Sequence, residues 1–95
     1  MVREETINRL RRLKPRFHEM GIKRMAVFGS IARNQADEDS DVDILVDLDK
    51  DFGMIKFFQM KKEIESHVGR QVDIMTFDSV RAPHHKHILA EAVDV

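Results

Sequence analysis

Two aspartates, Asp41 and Asp43, open the run DVDILVDL, whose alternation of polar and apolar residues marks a β-strand over 41–48. Residues two apart along a strand project from one face about 6.6 Å apart, so both carboxylates can reach one cation. Without neutralisation the pair would repel and each would raise the pKa of the other. A divalent metal is the natural remedy. Asp73 stands alone between apolar neighbours in QVDIMTF, where an unpaired carboxylate is costly to bury. If that strand lies beside the first with its polar face aligned, three carboxylates share one site. Such a set can hold two Mg²⁺ ions roughly 3.5–4 Å apart, the arrangement that serves phosphoryl and nucleotidyl transfer.

Gly29-Ser30 closes a short apolar run, IKRMAVF, and opens a helical turn. Glycine lets a backbone approach a phosphate closely, and the Ser30 hydroxyl can donate to a phosphate oxygen. The same dipeptide also suits an ordinary turn, with Ser30 as helix cap. It is no P-loop, because no Gly-Lys-Ser/Thr follows.

Other metal chemistries fit poorly. A calcium loop starting at Asp37 would put Val42 where glycine must turn the chain and Leu48 where a bidentate Glu belongs. Starting it at Asp39 places Ile44 and Lys50 there, which is no better. Asp37, Glu38 and Asp39 read as solvated loop charge. On a helix, His84 and His87 share a face while His85 points away, and no fourth ligand is evident, so these read as surface histidines.

The elements that must position these groups follow from periodicity. Ile7, Leu10, Leu13, Phe17 and Met20 form one face of a helix, with a kink or break near Lys14 because Pro15 lacks an N–H. Residues 22–28 read as a buried strand, 30–33 as a helical first turn, and 34–40 as a polar loop. Residues 54–68 read as a helix with Ile55, Phe58, Ile64 and Val68 on its apolar face, ending at Gly69. A third strand over 71–77 and a helix over 79–93 complete the chain. The expectation is an α/β (α+β) fold: one domain over residues 1–95, with helices packed on a three- to four-stranded mixed sheet.

Composition narrows the class. With 95 residues, 42% of them hydrophobic, the chain can build one core despite 35% charged residues. No cysteine is present, which excludes disulfides, thiolate metal sites and thiol nucleophiles. No apolar stretch approaches the length of a membrane span and no export signal is evident, so the cytoplasm is the expected location. The 16 basic and 17 acidic residues give a net charge of −1, but they are segregated. Residues 1–24 carry eight bases and three acids, residues 37–51 one base and eight acids. No direct nucleic-acid binding is expected. The small core and the methionines Met20, Met25, Met54, Met60 and Met75 suit core packing or an interface with a partner, with a hetero-oligomer one possible assembly.

Gly29-Ser30, ten residues, then Asp41-Val42-Asp43 reproduces the GSx10DxD motif of the polymerase-β-like nucleotidyltransferase superfamily. The stretch FGSIARNQADEDSDVDILVD resembles the minimal nucleotidyltransferases, antitoxins often paired with HEPN-domain toxins, and the likeness extends from about Lys23 through VDIMTF to ILAEAVDV. Members commonly carry Gly after Ala-Arg; Asn34 stands there in this chain, and Asn tolerates positive φ better than most residues. The resemblance implies that Asp41 and Asp43 bind the Mg²⁺ ions carrying the ATP triphosphate. It implies that Asp73 ligates the metal on the nucleophile side and helps deprotonate the acceptor. Gly29 and Ser30 would hold the β- and γ-phosphates. Arg33 would reach either the triphosphate or, in a salt bridge, the acidic loop. The implied reaction moves AMP from ATP to a tyrosine of a HEPN toxin. Two alternatives stand beside it: an antitoxin acting by contact alone, and a transferase acting on a small molecule of the aminoglycoside type.

Overall fold

The computed structural model describes residues 2–80 and 86–95. Helix α1 spans Val2–Met20, strand β1 Ile22–Phe28, the single-turn helix α2 Gly29–Ala32 and strand β2 Val42–Leu48. Helix α3 spans Met54–Val68, strand β3 Val72–Thr76, a 3₁₀ turn Asp78–Val80, helix α4 Lys86–Glu91 and strand β4 Val93–Asp94. The four strands form one sheet in the order β3-β2-β1-β4. β1 runs antiparallel to β2 and to β4, whereas β2 and β3 are parallel, as they must be when α3 carries the chain back between them. The sheet is therefore mixed, and no helix among the described residues is long and apolar enough to cross a membrane.

One face of the sheet holds the larger core. Leu10, Leu13 and Phe17 of α1 and Met60, Ile64 and Val68 of α3 pack with Val27, Val42, Ile44, Val46 and Val72. Strand alternation sends the intervening side chains to the opposite face. There Ala26, Phe28 and Leu45 meet Phe77, Val80 and Ile88, the cover contributed by the 3₁₀ turn and α4. Asp43 and Asp73 have the parity of this second face, which the two long helices leave uncovered.

Polar contacts tie the layers together. Arg9 donates to the carbonyls of Val68 at 3.4 Å and His67 at 3.5 Å, satisfying acceptors at the open end of α3. Arg16 forks onto Glu63, its Nε donating at 2.8 Å. Gly69 closes α3 in the left-handed conformation at φ 71°.

Several expectations need correction. α1 continues through Pro15 without a break. Proline leaves one carbonyl of the preceding turn without its helical donor. Pro15 is exposed, so water can serve that carbonyl, while the burial of Leu13 and Phe17 on either side holds the helical register. Helix α2 begins at Gly29, with Phe28 as its N-cap residue and no side-chain cap, so Ser30 lies inside the turn rather than capping it. The apolar face of α3 is Met60, Ile64 and Val68 with Phe57 partly buried. Ile55 and Phe58 face solvent at 76% and 57% exposure. The helix expected over 79–93 is a 3₁₀ turn through Val80 and, among the described residues beyond it, a helix over Lys86–Glu91 that gives way to β4, an edge strand paired with Ala26 and Val27. Of the three histidines, His87 is exposed, and His84 and His85 lie outside the described residues.

Candidate active site

The chemistry-bearing residues gather where β1 ends and β2 and β3 begin. In the β2–β3 register Asp43 pairs with Asp73, so the expected alignment of polar faces is realised. On its other side Asp43 pairs with Phe28, the last residue of β1. Asp41 lies one residue before β2 and is exposed. Burial raises the Asp43 carboxyl above the ordinary carboxylate range, and the neighbouring negative charges of Asp73 and Asp41 push it the same way. Glu91 adds to the rise and the Arg33 guanidinium partly offsets it. Half-buried and facing like charges, Asp43 carries an unfavourable negative charge that a cation or a proton would relieve.

Gly29 meets this carboxylate directly. Its φ of 70° lies in the left-handed region, and a Cβ there would collide with Asp43 Oδ2. Only glycine permits both the conformation and the approach. Four residues on, Arg33 ends the turn, its N–H donating to the Gly29 carbonyl at 3.1 Å. Asn34 then takes φ 58°, a conformation Asn tolerates, so the turn survives without the glycine common at that position.

The acidic loop is a self-braced structure. Asp37 Oδ1 accepts from the Asp39 N–H at 2.9 Å and the Ser40 hydroxyl at 3.1 Å. Arg70 donates to the carbonyls of Asp37 and Ser40. Asp37 thus serves the loop's own geometry, as the solvated reading of that loop allows.

Arg33 forms its salt bridge with Glu91 rather than with that loop's acids. Its Nη1 donates to both carboxylate oxygens of Glu91 at 3.1 Å, and its Nε donates to Gln35 Oε1 at 3.0 Å. The same Glu91 Oε1 accepts the Gly29 N–H at 3.1 Å. Glu91 is the site residue that the sequence did not disclose. It lies 58 positions from Arg33, in a helix whose periodicity points to its apolar side, and no local motif connects the two.

The donor set is oxygen only, which suits a hard cation such as Mg²⁺. Among the described residues no three His, Asp or Glu side chains are gathered so as to hold a metal ion as they stand. A two-carboxylate site completed by phosphate oxygens fits Mg²⁺ better than an all-protein cage, because this ion usually retains non-protein ligands.

The fold is that of a small nucleotidyltransferase. The chain belongs to the nucleotidyltransferase domain family, which matches residues 5–94. It is 39% identical over 85 residues to a protein of Methanocaldococcus jannaschii named "Putative protein adenylyltransferase", covering 90% of this chain and 91% of the relative. A second relative, "Protein adenylyltransferase MntA" of Thermococcus cleftensis, is 39% identical over 83 residues, covering 87% and 81%. The solved "Structure of putative minimal nucleotidyltransferase" superimposes with a TM-score of 0.85 at 29% identity, over 100% of this chain and 97% of the other. A chain of the "Crystal structure of the toxin-antitoxin with AMP-PNP" shares the fold with a TM-score of 0.66 at 18% identity, over 99% and 72%.

Proposed function

We propose that this protein transfers AMP from ATP to a hydroxyl of a partner toxin, a tyrosine of a HEPN-domain protein, and so acts as its antitoxin. The observation that carries the reading is Asp43 in register with Asp73 on adjacent strands, with the left-handed Gly29 turn against Asp43. Relatives named protein adenylyltransferases at 39% identity support the transferred group and the protein acceptor.

In this reading Asp41 and Asp43 would hold the Mg²⁺ that accompanies the triphosphate, and Asp73 would serve as a ligand to a second such ion. Bound Mg²⁺ supplies charge neutralisation at the reacting phosphate. The Gly29 and Ser30 backbone and the Ser30 hydroxyl bind β- and γ-phosphate oxygens, and Arg33 adds a cation to the same end. Asp73 is exposed at the start of β3, open to an incoming hydroxyl, and takes its proton. The acceptor oxygen then bonds to the α-phosphorus while the bond to the bridging oxygen breaks. Pyrophosphate leaves with that electron pair.

The acceptor is expected to come from the partner's surface, and the complex to be a hetero-oligomer working in the cytoplasm. The test is transfer from α-labelled ATP in Mg²⁺ to the protein encoded beside this one. Asp41→Asn, Asp43→Asn and Asp73→Asn should each remove labelling while leaving the circular-dichroism spectrum unchanged. Labelling retained by Asp41→Asn or Asp43→Asn would refute the metal assignment, and labelling retained by Asp73→Asn would make that residue structural.

A further inference from the structure

Gly29 stands between two carboxylates: Asp43 lies against its Cα, and Glu91 accepts its N–H at 3.1 Å. The second contact has a specific chemical form. One Glu91 oxygen is shared by a backbone N–H and the Arg33 guanidinium, and the other is held by the same guanidinium at 3.1 Å. A backbone donor and an arginine converging on an anion's oxygens is how proteins bind phosphate. Here an internal carboxylate holds both donors. We propose that Glu91 is a built-in competitor for the nucleotide's terminal phosphates, displaced from Gly29 and Arg33 when ATP binds.

This inference rests on the nucleotidyltransferase reading given above, which assigns the same two donors to the triphosphate. Three features support displacement over a permanent brace. Arg33 is held independently through Nε by Gln35, so its guanidinium keeps a partner when Glu91 leaves. Glu91 is partly exposed, its side chain retaining 22% of its accessible surface, and α4 presents it from a separate element. Glu91 also sets a second negative charge against Gly29 beside that of Asp43, an arrangement that favours exchange for a metal-bearing anion. Glu91 at rest therefore covers the donors and keeps Arg33 neutralised. Once displaced, its carboxylate carries no contact that the bound nucleotide needs.

Binding of a non-hydrolysable ATP analogue with Mg²⁺, and of AMP, should be measured by titration calorimetry on the whole chain and on Glu91→Gln and Glu91→Ala. Competition by a partly exposed ion pair predicts that both variants bind the analogue about three- to tenfold more tightly. AMP lacks the β- and γ-phosphates, so its affinity should not change. In thermal melts both variants should show a larger stabilisation on adding the analogue than the parent does. Unchanged or weaker analogue binding by folded variants would overturn the inference alone, because a brace would bind less tightly once removed. Tightening of AMP and analogue alike would also overturn it. Absence of analogue binding by parent and variants together would overturn both this inference and the nucleotide reading.

Discussion

Asp43→Asn should stabilise the protein at neutral pH while removing the activity proposed for it. The Asp43 carboxyl is raised by burial first, then by the charges of Asp73 and Asp41. Because it titrates higher in the folded chain than in the unfolded one, the native state holds the extra proton between those two values, and stability falls as the pH rises through the folded value. Above it the penalty is complete. Neighbouring strands stand about 4.8 Å apart, so two carboxylates in register repel by roughly 0.9 kcal/mol in a water-like dielectric and several times that in a drier one. Asp73 is exposed, which keeps the value near the lower end. Asparagine has the same shape and removes the charge, for a gain of about 1 kcal/mol, or about 4–8 °C in melting temperature for a domain of this size. The assay is a set of melts with chelator and no nucleotide, between about pH 3 and pH 8. The difference should be present at neutral pH and vanish at the acid end, where Asp43 is protonated in both states. A variant that melts at or below the parent at neutral pH, or one whose gain does not change with pH, would refute the electrostatic account of this site.

Gly29→Ala should lose both stability and nucleotide binding, since the left-handed φ and the collision with Asp43 Oδ2 act together; the backbone strain alone is worth about 1–3 kcal/mol, read from chemical denaturation. Asn34→Gly should leave binding and transfer unchanged, whereas Asn34→Val, β-branched at φ 58°, should lower the melting temperature by several degrees, about 1–2 kcal/mol.

The strands that build the site were legible because their signals are local. Alternation in DVDILVDL and QVDIMTF fixes which side chains share a face, and a parallel pairing then needs only register to bring Asp43 beside Asp73. Asn34 was legible for the same reason, since its tolerance of positive φ is a property of one residue. What stayed hidden depends on distant partners. Pro15 stops a helix only where its lost hydrogen bond outweighs the packing beneath, and Leu13 and Phe17 decide that from the core. In α3 the adjacent Phe57 and Phe58 offer two apolar stripes, and only the sheet below selects the one through Met60 and Ile64. β4 has two residues and no pattern to read, so its existence follows from the free edge of β1. Glu91 could not be assigned to Gly29 and Arg33 from spacing, because the contact joins elements about sixty positions apart.

The central claim, that Asp41, Asp43 and Asp73 move AMP onto a partner, is tested most directly by weighing that partner. The proposed partner toxin, sought as the product of the adjacent gene, should be incubated with this protein, ATP and Mg²⁺, and its intact mass measured. The predicted result is a toxin heavier by whole AMP units, with no increment when Asp43→Asn replaces the parent. A tight complex whose toxin keeps its original mass, or equal increments with Asp43→Asn, would contradict the claim.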